Sequence, residues 1–234
     1  NMEITFRSPG EDEGALSVLS LYSPVIAWVF PRHEEHYDRY LTFRDVPKQE
    51  AEAFRAALIQ FLQKLTWRYR KPIILKSPTH TARIRMLLEL FPEARFVHVH
   101  RNPYVVYRST LHLYEKAVAE SYLQRPRPGQ LEEGILRRYA LMYDAFFEER
   151  GLIPEGQFCE LRFEELEKDM PGQMAKVYRE LRLPGFNRAA PKIDEYVAAH
   201  TSYRKNEFKP LPEEVRVKVA RAWRRCFEEW GYTV

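Results

Sequence analysis

Two short apolar runs each end in a single cation. Ile73-Ile74-Leu75 leads into Lys76, and Val97-His98-Val99-His100 leads into Arg101. An isolated ammonium or guanidinium is costly to bury, so each is expected at an open cleft, facing an anion. Asn102-Pro103 follows Arg101 and opens a helical pattern, so backbone amides, the positive end of a helix dipole and a guanidinium would converge there. Ser109 stands eight positions after Arg101, about two helical turns on, where its hydroxyl can turn back toward whatever Arg101 holds. The chemistry implied is the grip on a phosphate or sulfate group. The plainer alternative pairs Arg101 with a neighbouring carboxylate and leaves Ser109 merely exposed.

Other polar groups carry weaker signals. His98 and His100 lie two apart on one strand face and could ligate a metal, but no third ligand is apparent, so structural imidazoles beneath a helix are expected. His33-Glu34-Glu35-His36 has the wrong spacing for a His-Glu-x-x-His zinc helix, and its neighbours Pro31 and Arg32 suggest a loop. Arg137-Arg138 and Arg221, Arg224 and Arg225 alternate with glutamates and read as solvated helix faces rather than a nucleic-acid stripe.

These residues need elements to position them. Residues 72–76 form a short β-branched run, expected as a buried parallel strand. Ser77-Pro78-Thr79 interrupts it, and Ile84, Leu87, Leu88 and Phe91 then repeat at helical spacing until Pro92. Residues 95–100 give a second strand, and Val106, Thr110, Leu113 and Tyr114 continue the helix that Pro103 opens. Strand, helix, strand, helix requires a parallel sheet with helices packed on it. Long amphipathic helices are expected over 48–70 and 130–150, a strand over 157–163, and single helices over 164–181 and 212–230. The uncharged run 14–30 reads as a buried helix end followed by an extended segment. It is 17 residues long and interrupted by serines and Pro24, so it is too short and too polar to span a bilayer. The tyrosine-rich segments 37–43 and 104–114 suit either core or acceptor pocket.

The chain of 234 residues is long enough for one α/β domain with a substantial core, and no repeat or linker divides it. Thirty-seven basic against 33 acidic side chains give a net charge of +4, suited to an anionic ligand but not to duplex nucleic acid. Cys159 and Cys226 lie far apart with no CxxC, which excludes a disulfide scaffold or zinc ribbon and makes a reducing, cytoplasmic setting the default. No signal peptide is evident, and Asn1 precedes Met2.

Arg101-Asn102-Pro103 followed by Val106 and Ser109 resembles the 3′-phosphate motif of sulfotransferases that use 3′-phosphoadenosine 5′-phosphosulfate (PAPS). The resemblance implies that Arg101 and Ser109 grip the donor's 3′-phosphate. Leu75-Lys76-Ser77-Pro78-Thr79-His80 is similar to the Leu-Lys-Ser-Pro-x-His segment of bacterial members, which implies that Lys76 contacts the moving sulfuryl group. Leu161-Arg162-Phe163-Glu164-Glu165-Leu166 is similar to the segment whose Tyr contacts adenine, and Arg204-Lys205-Asn206 resembles the late Arg-Lys-Gly loop that closes over the 3′-phosphate. The implied fold is a P-loop-NTPase-like parallel sheet flanked by helices, as a single domain over 1–234. PAPS is the implied co-substrate, with no metal, and the acceptor a small molecule or glycan bearing a hydroxyl or amine.

Four departures accompany the match. Phe163 replaces the Tyr, keeping a stacking face without a hydroxyl, and Asn206 replaces Gly. Pro78 stands where animal cytosolic members place the His that acts as base. None of the nine glycines lies in a GxxxxGK[ST] or Ser/Thr-rich phosphate loop, so the family's first strand and 5′-phosphosulfate loop are expected to be absent from this chain. Sulfuryl transfer, like phosphoryl transfer, is an in-line displacement served by positioning and charge, plus a base for the acceptor hydroxyl. His80 is the first candidate base, with Glu11, Asp12 and Glu13 as the alternatives. The rival functions are a non-catalytic adenosine 3′,5′-bisphosphate-binding or interaction domain and a small-molecule kinase, the latter lacking a visible phosphate loop and magnesium ligands.

Overall fold

The computed structural model describes residues 10–200 and 208–234. Helices α1 (Asp12–Ser20), α2 (Glu34–Asp38), α3 (Lys48–Tyr69) and α4 (Ile84–Leu90) precede strand β1 (Phe96–His100). Helices α5 (Pro103–Lys116) and α6 (Gln130–Glu149) lead to β2 (Phe158–Arg162). The chain then runs through α7 (Phe163–Lys168), α8 (Met170–Glu180), α9 (Phe186–Ala199), α10 (Glu213–Ala222) and α11 (Arg224–Trp230).

The two strands pair in parallel, in the register Phe96↔Phe158 to His100↔Arg162. Alternation then sorts their side chains onto two faces. His98 and His100 point into an aromatic layer, where His98 lies 4.2 Å from Phe146 and His100 stacks on Trp230 at 4.8 Å. This core draws Tyr107 and Tyr114 from α5, Tyr143, Phe146 and Phe147 from α6, and Trp230 from α11, with Trp223 between α10 and α11. On the opposite face, Cys159 and Leu161 are covered by Val177 of α8 and Leu181, while Val97 and Val99 stay 47% and 41% exposed. A separate cluster packs Leu16 of α1 and Phe54 and Leu58 of α3 against Met86 and Leu87 of α4.

Parallel strands and flanking helices agree with the α/β reading, as do the positions of α3, α5, α6 and β2. Several expectations are corrected. Residues 72–76 are irregular chain and not a buried strand: among the described residues no strand pairs with them, and Ile74 is 93% exposed. Leu75 turns inward, packing with Phe96 against the Met86–Leu87 cluster. The helix expected over 164–181 breaks at Asp169, whose side chain accepts from the Gly172 amide and restarts the chain as α8 with Pro171 in its first turn. The last helix likewise breaks at Trp223, and α9 had no counterpart in the expected elements. The segment after α1 is a 3-10 turn over Pro24–Trp28 rather than extended chain, and Ser23 caps it by accepting from the Val25 amide.

Two side readings also change. His33-Glu34-Glu35-His36 is helical rather than loop, and Glu34 and Asp38 are buried. Arg137 stays on the exposed face but Arg138 does not, and both bridge from α6 to this acidic pair: Arg137 Nη2 to Asp38 at 2.7 Å and Arg138 Nη1 to Glu34 at 2.7 Å. The tyrosines 40, 107 and 114 are core residues.

Candidate active site

In an open parallel sheet, ligands bind beyond the carboxyl ends of the strands. Here the register decides what meets there. Because His100 opposes Arg162, the next residues face each other in turn, Arg101 beside Phe163 and Asn102 beside Glu164. Both pairs touch: the Arg101 guanidinium carbon lies 4.3 Å from the centre of the Phe163 ring, and the Asn102 amide donates to Glu164 Oε1 at 3.0 Å. Two residues singled out separately for nucleotide binding are thus brought together, with Arg101 and Phe163 each half-buried.

The support beneath them is polar and well satisfied. Asn102 caps α5 by accepting from the Tyr104 amide at 3.0 Å, and Tyr232 donates its hydroxyl to Glu164 Oε2 at 2.8 Å. Burial pushes the Glu164 carboxyl up, but the Asn102 amide and the Tyr232 hydroxyl outweigh it and hold it below the usual carboxylate range. Ser109 is exposed on α5. Arg204, Lys205 and Asn206 lie outside the described residues.

The second half of the site is built on a spacing match. The consecutive acids Glu11, Asp12 and Glu13 open α1, and each takes one of the bases at 76, 80 and 83. Lys76 Nζ pairs with Glu11, His80 Nε2 meets Asp12 Oδ2 at 2.6 Å, and Arg83 clasps Glu13 through two bonds of 2.6 and 3.0 Å. The 3-10 turn Pro78–Ala82, started by Pro78, turns His80 and Arg83 back onto α1. The pairs differ in exposure and in how fully their hydrogen bonds are satisfied. Lys76 is 78% exposed, so its ion pair is a surface one, worth about 0–1 kcal/mol and readily exchanged for another anion. Arg83 and Glu13 are buried and saturated. Ser23 and Thr79 donate to Glu13 at 2.6 and 2.7 Å, while Arg83 also donates to the Tyr40 and Leu41 carbonyls and lies over Phe54. Although burial alone raises its pKa, the Arg83 charge and these hydrogen bonds bring Glu13 down to about 2.

The middle pair, with Asp12 buried and His80 partly so, is unsaturated. A carboxylate accepts, so His80 Nε2 donates to Asp12, and the lone pair of a neutral ring sits on Nδ1. His80 Nδ1 and Asp12 Oδ1 are both buried without a hydrogen-bond partner among the described residues. Leaving such atoms unmatched costs about 1–3 kcal/mol each, which a purely structural pair would avoid. Carboxylates at a helix start are ordinarily solvated, but Asp12 and Glu13 are 5% and 1% exposed. Sequence reasoning weighed His80 and the acids as rivals and did not single out Arg83. The signal was present in the three adjacent acids and in the bases at 76, 80 and 83.

The remaining candidates are structural. His98 bonds Glu160 at 3.0 Å and Tyr143 at 3.4 Å, and His100 bonds Tyr232 at 3.2 Å. Cys159 and Cys226 are free and buried, and burial pushes the Cys159 thiol up to about 12, so neither is a poised nucleophile. A cavity of about 370 Å³ opens between Phe43, Arg55, Arg83 and Glu149. Its arginines are matched, Arg44 to Glu148 and Glu149, Arg55 to Glu89 and Arg83 to Glu13, so it offers an anion little.

Comparison with known proteins identifies the family and the fold. A model of the sulfotransferase family matches residues 21–188, a stretch that holds Lys76, His80, Arg101, Ser109 and Phe163. Two curated relatives, the omega-hydroxy-beta-dihydromenaquinone-9 sulfotransferases Stf3 of Mycobacterium bovis and Mycobacterium tuberculosis, are 36% identical over 232 residues. That alignment covers 99% of this chain but 60% of theirs, so the chain spans under two thirds of the relatives it matches. The crystal structure of sulfotransferase STF9 from Mycobacterium avium superposes with a TM-score of 0.72 at 18% identity, over 95% of this chain and 56% of that one. The likeness shows a common fold, the P-loop-like α/β arrangement. With the family match running through both strands and the residues at their ends, the chain belongs to the sulfotransferase family.

Proposed function

We propose that this chain acts, as a single domain over 1–234, in sulfuryl transfer from PAPS to the hydroxyl of an acceptor. The relatives' names suggest an apolar acceptor with a terminal hydroxyl, of the omega-hydroxy-dihydromenaquinone kind. The observation that carries the donor reading is the Arg101 guanidinium stacked on Phe163 at the carboxyl end of the sheet. One face of the ring is taken by the cation, and a purine would stack on the other. Arg101 and Ser109, with Arg204, Lys205 and Asn206, would bind the 3′-phosphate.

In the reaction, the acceptor oxygen forms a bond to sulfur while the bond from sulfur to the bridging phosphate oxygen breaks, and adenosine 3′,5′-bisphosphate leaves with that electron pair. Lys76, released from Glu11, meets the charge moving onto the leaving oxygen. His80 Nδ1 takes the hydroxyl proton, and Asp12 fixes the ring and supports the imidazolium that results.

Calorimetric titration of adenosine 3′,5′-bisphosphate onto the full-length protein tests the donor site. Arg101→Ala is expected to weaken binding about 10- to 100-fold, the worth of one or two charge-assisted hydrogen bonds. Unchanged affinity would remove Arg101 from the site. His80→Ala is expected to cut kcat by about 10²–10⁴ with donor binding unaltered. Nucleotide binding without sulfated product from any hydroxylated acceptor would favour the non-catalytic binding domain instead.

A further inference from the structure

The end of α3 and the segment after it have a composition that the transfer reaction does not use. Trp67-Arg68-Tyr69-Arg70-Lys71 is followed by Pro72, Ile73 and Ile74, and no Asp or Glu occurs anywhere between Glu52 and Glu89. Residues 66–72 are all exposed, with Trp67 at 79%, Tyr69 at 61% and Ile74 at 93%. None of Arg68, Arg70 and Lys71 has a carboxylate partner among the described residues, and Arg68 lies 5.9 Å from the Tyr69 ring. Consecutive residues on the helix diverge by about 100° up to Tyr69, and Arg70 then turns the chain off it in the left-handed region, so the two rings and three cations spread around the helix tip instead of lining one flat face. Such a tip suits a soft, laterally mobile partner better than a rigid protein surface.

We propose that this corner docks on an anionic lipid surface. Trp and Tyr prefer the boundary between headgroups and acyl chains, where an apolar ring and a polar edge are both accommodated. Ile74 adds an apolar side chain that water otherwise surrounds. Arg68, Arg70 and Lys71 supply the second signal that stable surface binding needs, each worth about fivefold in affinity beside an anionic leaflet. No described helix is long and apolar enough to cross a membrane, so the contact is peripheral.

The position of this corner links it to the active site. Exposure alternates along the segment, with Ile73 and Leu75 half-buried and Ile74 and Lys76 exposed, so Ile74 and Lys76 share a side. A bilayer touching Ile74 would therefore bring a hydroxyl carried by a lipid-like molecule toward Lys76. This last step rests on the acceptor reading above; the docking itself does not.

The test is sedimentation of the full-length protein with vesicles of phosphatidylcholine alone or mixed with phosphatidylglycerol, without nucleotide or acceptor. Binding is expected on the mixed vesicles only, and added salt should weaken it. The triple variant Trp67→Ala/Tyr69→Ala/Ile74→Ser should bind at least about tenfold less with an unchanged circular dichroism spectrum and melting temperature, because these side chains are largely exposed and belong to no core cluster. Brominated lipid should quench tryptophan emission in the parent chain and not in Trp67→Phe. Turnover of a short-chain, soluble acceptor should be the same in parent and triple variant, which separates failed docking from a failed reaction assignment. No binding to mixed vesicles at low salt, or equal binding by the triple variant, overturns the proposal. So does a concentration-dependent dimer that the triple variant abolishes, since a second copy would then be the occupant.

Discussion

Glu13 and Arg83 form a buried ion pair whose every neighbour donates or accepts in the right sense: two hydroxyls on the carboxylate, two carbonyls and two phenyl rings around the guanidinium. The desolvation of both ions is met only while both are present. Glu13→Gln is therefore expected to destabilise the fold by about 3–5 kcal/mol, read as a shift in the urea midpoint at constant slope, because it strands a buried guanidinium. Glu13→Gln/Arg83→Met should recover a large part of that loss; additive costs in the double variant would show that the two residues do not act as a unit. This pair was hard to find in the sequence because a carboxylate at a helix start is ordinarily a solvated dipole partner. Its burial depends on a contact 70 residues away, which no local pattern encodes. His80 and Asp12 stand in the sequence as rival candidate bases; that they pair with each other depends on the turn that Pro78 starts.

The elements that position the donor site were easier to read. Arg101, Asn102 and Pro103 state a strand end, a cap and a first helical turn in consecutive residues, and the structure has β1, the Asn102 cap and α5 there. Asn102→Ala removes the bond to the Tyr104 amide and should cost about 1 kcal/mol in urea unfolding, whereas Asn102→Asp should keep most of it. An equal loss in both variants would mean that the cap is not what fixes the start of α5. The element misread was 72–76, for which the same β-branched signal gave a buried strand. Composition records a preference for extended backbone, but burial requires a neighbouring strand, and pairing is a property of the sheet rather than of the segment. The opposite error came from 164–181 and 212–230, where hydrophobic spacing runs on across Asp169 and Trp223 although the backbone stops and restarts there.

For the molecule as a whole, one buried group against the sheet and one between α1 and the Pro78 turn make stability depend on acid in two stages. His100 is stacked on Trp230, and its burial lowers its pKa from 6.5 to about 4; Glu160 acts against the shift, while the His98 and Arg162 charges add to it. The folded state therefore binds this proton less readily than the unfolded chain does. Its contribution is complete above pH 6.5 and is lost as pH falls toward 4, by at most about 3 kcal/mol. Glu13, with its carboxyl held down at about 2, begins to matter only below its unfolded value of 4.5 and loses its contribution toward pH 2. The two windows barely overlap, so a melting curve taken at closely spaced pH values should separate them. His100→Phe keeps a ring against Trp230 and leaves the Tyr232 hydroxyl bonded to Glu164. It should flatten the fall in melting temperature between pH 6.5 and 4 while leaving the steeper fall below pH 4.5 in place. A parent protein with constant melting temperature from pH 6.5 to 4, or a variant that falls as steeply there, would show that the proton responsible is taken up elsewhere.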